Sequence, residues 1–175
     1  MKKKLLISFI SLFVITISGF AQVKKVYAFK QASIPGILLA TDENDIKESN
    51  APKRSERKQN YNYWFYLSLP KTEKITVTGL WIDGKQYDLK SETITNLPVV
   101  KIVYTGLEKN DTTIMAPATA NKVILVYPFA EKPGNPKSAL KFTRTNELVI
   151  RYASKGKIHY TTLKKIKELA PDVRQ

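Results

Sequence analysis

Side chains able to do acid–base or covalent chemistry are few in this chain. There is one histidine, His159, and there is no cysteine. That removes disulfides, thiol nucleophiles and thiolate metal sites. A serine triad needs a nucleophile and an orienting acid arranged around the histidine. Gly-x-Ser-x-Gly is absent, as are His-Glu-x-x-His, the phosphate-binding loop and Gly-x-Gly-x-x-Gly. Asp42, Glu43, Asp45 and Glu48 gather acids as calcium sites do. Counted from Asp42, however, Ile46, Lys47 and Lys53 stand where a calcium loop wants an oxygen ligand, a glycine and a glutamate. No metal and no cofactor are expected. Glycoside hydrolysis needs two facing carboxylates. Asp83, Asp88, Glu92, Glu108, Asp111, Glu131 and Glu147 show no spacing that singles out a pair, so a carboxylate-based hydrolase is the least favoured function.

Binding chemistry is better represented. Trp64, Tyr66 and Trp81 are candidate ligand-binding aromatics, because exposed rings on β-structure stack on sugar rings. The competing reading makes them a second buried layer, since aromatic side chains contribute strongly to packing. Lys53, Arg54, Arg57 and Lys58 form a basic patch suited to docking an anionic partner by charge, with binding that weakens as salt rises. Its bland alternative is a solvated loop. Asp111-Thr112-Thr113 resembles the Asp-Ser/Thr-x pattern of O-glycosylated exported bacterial proteins, and Asn110-Asp111-Thr112 fits the N-glycosylation pattern.

The compartment follows from the first residues. Lys2, Lys3 and Lys4 precede an apolar run from Leu5 to Ile17, and Gly19 and Ala21 are small residues at the −3 and −1 positions of a cut before Gln22. These are the parts of a secretory signal peptide, residues 1–21. The apolar run is shorter than the roughly 20 residues of a membrane-spanning helix, so no membrane span is expected after cleavage. The leader removes three lysines, so the net charge of +14 falls to about +11. In the periplasm or outside the cell, that charge points to an envelope protein or an anionic glycan rather than nucleic acid, and the plainer reading, which is preferred to any specific polyanion site, is that the lysines keep the surface soluble.

The elements that must position these residues read as strands. Val23–Lys30 is a first strand, and Ile37–Leu39 a short one after the Pro35-Gly36 turn. Residues 41–60 form a long charged loop. In Tyr61–Leu69 the odd positions make one unbroken apolar face, and strict alternation marks a strand. Pro70 ends it. Ile75–Ile82 leads through Asp83-Gly84 into Lys85–Leu89, a hairpin signature. Val99–Thr105 follows. Residues 106–121 read as a gap. Val123–Tyr127 is a central strand ended by Pro128, and Pro133-Gly134-Asn135-Pro136 marks a loop. Leu148–Tyr152 and Ile158–Leu163 form a C-terminal hairpin. Lys164–Ala170 fits either helix or strand.

About eight short strands without a long amphipathic helix predict an all-β domain over residues 22–175, an immunoglobulin-like antiparallel β-sandwich, with a closed β-barrel as the alternative. The functional expectation is a non-enzymatic binding or structural protein of the cell envelope. A carbohydrate-binding module is the alternative.

Overall fold

A computed structural model describes residues 23–33, 60–104, 110–133 and 140–171. The signal peptide, Ile37–Leu39 and the basic patch of Lys53, Arg54, Arg57 and Lys58 lie outside the described residues. Ten strands are present among those described: β1 (Lys25–Ser33), β2 (Asn60–Leu69), β3 (Thr76–Ile82), β4 (Lys85–Ile94), β5 (Val99–Tyr104), β6 (Asn110–Ala116), β7 (Lys122–Glu131), β8 (Leu148–Ser154), β9 (Lys157–Leu163) and β10 (Lys167–Leu169). One helical turn, α1 (Leu140–Thr143), precedes β8.

The fold is all-β, as expected, but its layers differ from an antiparallel immunoglobulin-like sandwich. Eight strands form one mixed sheet in the order β10-β1-β2-β7-β4-β3-β8-β9, curled into a half-barrel, while β5 and β6 form a separate ribbon. The β1–β10 pair is parallel. The edges β9 and β10 do not pair, so the barrel stays open.

The curl can be derived from chain length. β9 and β10 lie at opposite edges of the sheet, yet only residues 164–166 join them. Four residue steps from Leu163 to Lys167 span at most about 14 Å. A flat sheet would separate edges seven strand spacings apart by roughly 34 Å. The sheet must therefore bring its edges together at this end. Ile166, within the connection, is fully buried in the interior core.

That core comes from alternation. Phe65, Leu67 and Leu69 of β2 point inward with Ala28, Leu80, Ile82, Ile124, Val126, Leu148 and Ile150. Each large aliphatic or aromatic side chain buried this way contributes about 1.5–3 kcal/mol. The intervening residues of β2 are also covered. Tyr66 packs on the outer face with Phe29, Val123, Leu125, Met115 and Ala116, beneath the β5–β6 ribbon. Farther along the outer face, Trp81 and Val149 pack with Phe142 of α1 and Tyr160.

Glu147 fastens the curl. Its carboxylate accepts from Lys30 Nζ at 2.6 Å and from the Ile166 N–H at 2.7 Å. Its carbonyl accepts from the Asp83 N–H at 2.9 Å. One residue thus ties β1, the β3–β4 turn and the 164–166 connection together. The Lys30–Glu147 pair is mostly shielded from solvent, with side-chain exposures of 18% and 13%.

Three sequence expectations are revised. β6 occupies part of the stretch read as a gap. β7 continues through Pro128 to Glu131: consecutive Asp88 and Leu89 of β4 pair with Ala130 and Pro128, so Phe129 is an extra, bulged residue beside the proline, and a bulge is where a strand tolerates proline. The ambiguous C-terminal segment contains strand β10, whose pairing with β1 decides against helix.

Two stability outcomes follow. Glu147→Ala leaves a shielded ammonium and the Ile166 N–H without their acceptor, and is expected to cost about 2–3 kcal/mol in urea unfolding. At Gly79 a Cβ would lie 2.5 Å from Trp81 Cη2 and 2.7 Å from Cζ3. The Trp81 ring is confined by its buried neighbours, so Gly79→Ala is expected to lose about 1–3 kcal/mol by overpacking, measured the same way.

Candidate functional site

Strand β2 is the longest aromatic run, and its two faces serve different ends. On the inner face, Tyr61 and Tyr63 stand above Phe65, with ring centroids 6.1 and 6.0 Å apart along the row. Lys30 Nζ lies 5.4 Å from the Tyr61 ring centroid on its way to Glu147. These groups close one mouth of the half-barrel together with Asp83 and Tyr87. Burial pushes the Tyr63 phenol up to about 12, with Tyr87, Asp83 and Glu147 adding to the shift. Burial and the nearby Glu147 carboxylate raise Asp83. The hydrogen bond to Glu147 raises Lys30 despite the opposing effect of burial.

On the outer face, β2, β7 and β4 together form a cleft. It is lined by Tyr61, Asn62, Tyr63, Trp64, Glu92, Leu125, Tyr127 and Pro128 and has a volume of about 370 Å³. Strand register explains which side chains converge. Tyr66 pairs with Leu125 and Glu92 with Leu125, so Trp64, Leu125, Tyr127 and Glu92 share the outer face. Lys90 is opposite Tyr127 and lies 5.4 Å from the Phe129 ring centroid. Beside the cleft, Lys101 Nζ of β5 sits 4.1 Å above the Trp64 ring centroid. A cation held over an indole face is an attractive contact, and this one fixes the ribbon against the cleft. Burial raises the Tyr66 phenol beside the cleft, and Glu92 raises it further.

The three aromatic candidates therefore part company. Trp64 is partly buried and lines the cleft. Tyr66 is 4% exposed beneath the ribbon, and Trp81 is 1% exposed. The Trp81 ring is covered by the Arg151 guanidinium, 5.5 Å from its centroid. Arg151 in turn donates to Thr78 Oγ1 at 3.1 Å and to the Thr78 carbonyl at 3.0 Å. Neither Tyr66 nor Trp81 presents a ring face on which a ligand could stack. Asn62, Glu92 and Tyr127 are polar or aromatic cleft residues among those that sequence reasoning did not single out. Asn62 shares a strand face with Trp64, which alternation could have indicated. Glu92 and Tyr127 reach the same cleft only through the β4–β7 register, which leaves no local sequence signal.

His159 pairs with Tyr152 in register and stacks on its ring, centroids 5.4 Å apart. This is a packing position. Among the described residues no group of three His, Asp or Glu side chains is placed to hold a metal ion. Among them, too, no helix is long and apolar enough to cross a membrane.

Compared with protein-family models, with curated proteins and with solved structures, the chain has no match.

The titrating mouth gives a pH outcome. A phenol whose pKa is raised on folding keeps its full stabilising contribution below the unfolded value of 10 and loses it as pH climbs to about 12. Lys30, also raised, acts in the same direction above 10.5. Stability is expected to fall between pH 10 and 12. Tyr63→Phe should make that fall shallower in thermal melts across the alkaline range.

Proposed function

We propose that the chain is a non-enzymatic binding protein of the cell envelope, exported by residues 1–21, and that its outer cleft takes an acidic glycan. The observation carrying this reading is the make-up of the cleft. Tyr127 and Trp64, one face of which is taken by Lys101, offer apolar ring surface, Asn62 and Glu92 offer directional hydrogen-bonding groups, and Lys101 over Trp64 and Lys90 opposite Tyr127 put positive charge beside the cleft. Sugar rings present apolar C–H surfaces beside hydroxyls, and concave sites with a few placed polar groups suit such ligands. The two lysines favour a sugar carrying carboxylate or phosphate over a neutral one. Among the described residues, Glu92 is the single carboxylate in the cleft lining, whereas glycoside hydrolysis uses two. That supports binding without turnover. The half-barrel takes the place of the immunoglobulin-like sandwich as scaffold in this reading, because the cleft needs only β2, β7 and β4.

The chain contains two tryptophans, and Trp81 is sealed in the fold, so indole fluorescence reports on Trp64. Titrating the chain from Gln22 with acidic envelope glycan fragments should give a saturable fluorescence change that weakens with added salt. Tyr127→Ala should weaken binding about 5- to 150-fold, in keeping with loss of a stacking aromatic worth about 1–3 kcal/mol. A salt-independent response, or one unchanged in Trp64→Phe, would contradict the proposal.

A further inference from the structure

We propose that Thr112 carries an O-linked glycan, and that this glycan covers the outward apolar face of the β5–β6 ribbon. Two independent observations meet at this residue. The first is the sequence Asp111-Thr112-Thr113, in which the structure leaves both Asp111 and Thr112 exposed. The second is the surface around it. Val100 is 46% exposed, Ile102 49% and Ile114 57%. Register places them on one face with Thr112: Ile102 is opposite Thr112 and Val100 is opposite Ile114. The other face of the ribbon is packed, with Val103 and Met115 each 1% exposed. Thr112 thus stands inside the apolar stripe.

Distance fits a sugar as the cover. A cross-strand partner lies about 5 Å away, and a residue two places along the strand about 7 Å. The first sugar on Thr112 Oγ1 therefore reaches both Ile102 and Ile114 and can lay its C–H surface on them. A stable protein partner covers about 800 Å² on each side, and three half-exposed aliphatic side chains offer far less. The ribbon also stands on the outside of the sheet, where a modifying enzyme can approach the finished fold.

The chemistry balances simply. The Thr112 hydroxyl oxygen forms a bond to the anomeric carbon of an activated glycosyl phosphate donor. The bond from that carbon to the phosphate breaks, the phosphate leaves with the electron pair, and the hydroxyl proton passes to a base of the glycosyltransferase. The inference rests on export, which exposes the folded chain to such an enzyme, and is independent of what the outer cleft binds.

The test is intact and peptide mass spectrometry of the chain isolated from the envelope of the cells that encode it. The expected result is a chain beginning at Gln22 with added hexose-type mass on the peptide containing Thr112. Thr112→Val and Asp111→Ala should both remove the added mass, and Asn110→Gln should leave it. A chain beginning at Gln22 with no added mass overturns the proposal while leaving export intact. Added mass that persists in Thr112→Val, or that disappears in Asn110→Gln as N-linked attachment requires, overturns it as well. A chain still beginning at Met1 and unmodified defeats both cleavage before Gln22 and glycosylation. The valine keeps a strand-favouring side chain at an exposed position, so a folded variant is available for the comparison.

Discussion

Three residues, 164–166, decide the shape of this protein. They carry the chain from one edge of an eight-stranded sheet to the other, and so short a link cannot be made unless the sheet is curled. Everything on the inner side follows. Strands that are distant in sheet order face each other, and Leu67 of β2 and Ile150 of β8 belong to one core. With no cysteine in the chain, no covalent staple assists the closure. Burial of Ile166 and the hydrogen bonds centred on Glu147 hold it, with the Lys30–Glu147 pair acting inside the fold rather than on its surface. A surface ion pair such as Lys85–Glu131, whose partners are 49% and 42% exposed, contributes far less.

Curling leaves an outer face, and the chain covers it unevenly. The β5–β6 ribbon shields Tyr66, Val123 and Leu125, while α1 with Tyr160 shields Trp81 and Val149. Beyond the ribbon the cover stops short, and the cleft at Trp64 is the result. Lys101 belongs to both structures. It anchors the ribbon to the sheet through Trp64 and places its charge beside the cleft.

Alternation in Tyr61–Leu69, the Asp83-Gly84 turn and the C-terminal hairpin were legible because each is a local pattern. The turn has the expected geometry, with Asp83 and Gly84 at φ of 48° and 78°. The curl was not legible, since it depends on which strands lie at the sheet edges. β6 was hidden because its threonines and exposed Ile114 belong to a two-stranded ribbon with one face in solvent, where no long apolar alternation is required. Pro128 read as a terminator because the bulge at Phe129 that accommodates it shows only in the pairing of β7 with β4. Of the site, Trp64 was visible as an aromatic on the second face of β2. Trp81 looked equivalent, and only the packing of α1 and Arg151 over it separates the two. Glu92 and Tyr127 could not be found without knowing that β4 and β7 are neighbours.

The closure itself can be read directly by zero-length carbodiimide coupling of the native chain, which joins an amine to a carboxylate only when they touch. The account predicts an amide between Lys30 and Glu147, whose Nζ and Oε1 are 2.6 Å apart, alongside one between Lys132 and Asp88 at 2.7 Å as an internal reference. In a flat sheet of the same strand order, β1 and β8 would stand about 24 Å apart. Coupling of Lys132 to Asp88 without coupling of Lys30 to Glu147 would contradict the curled sheet.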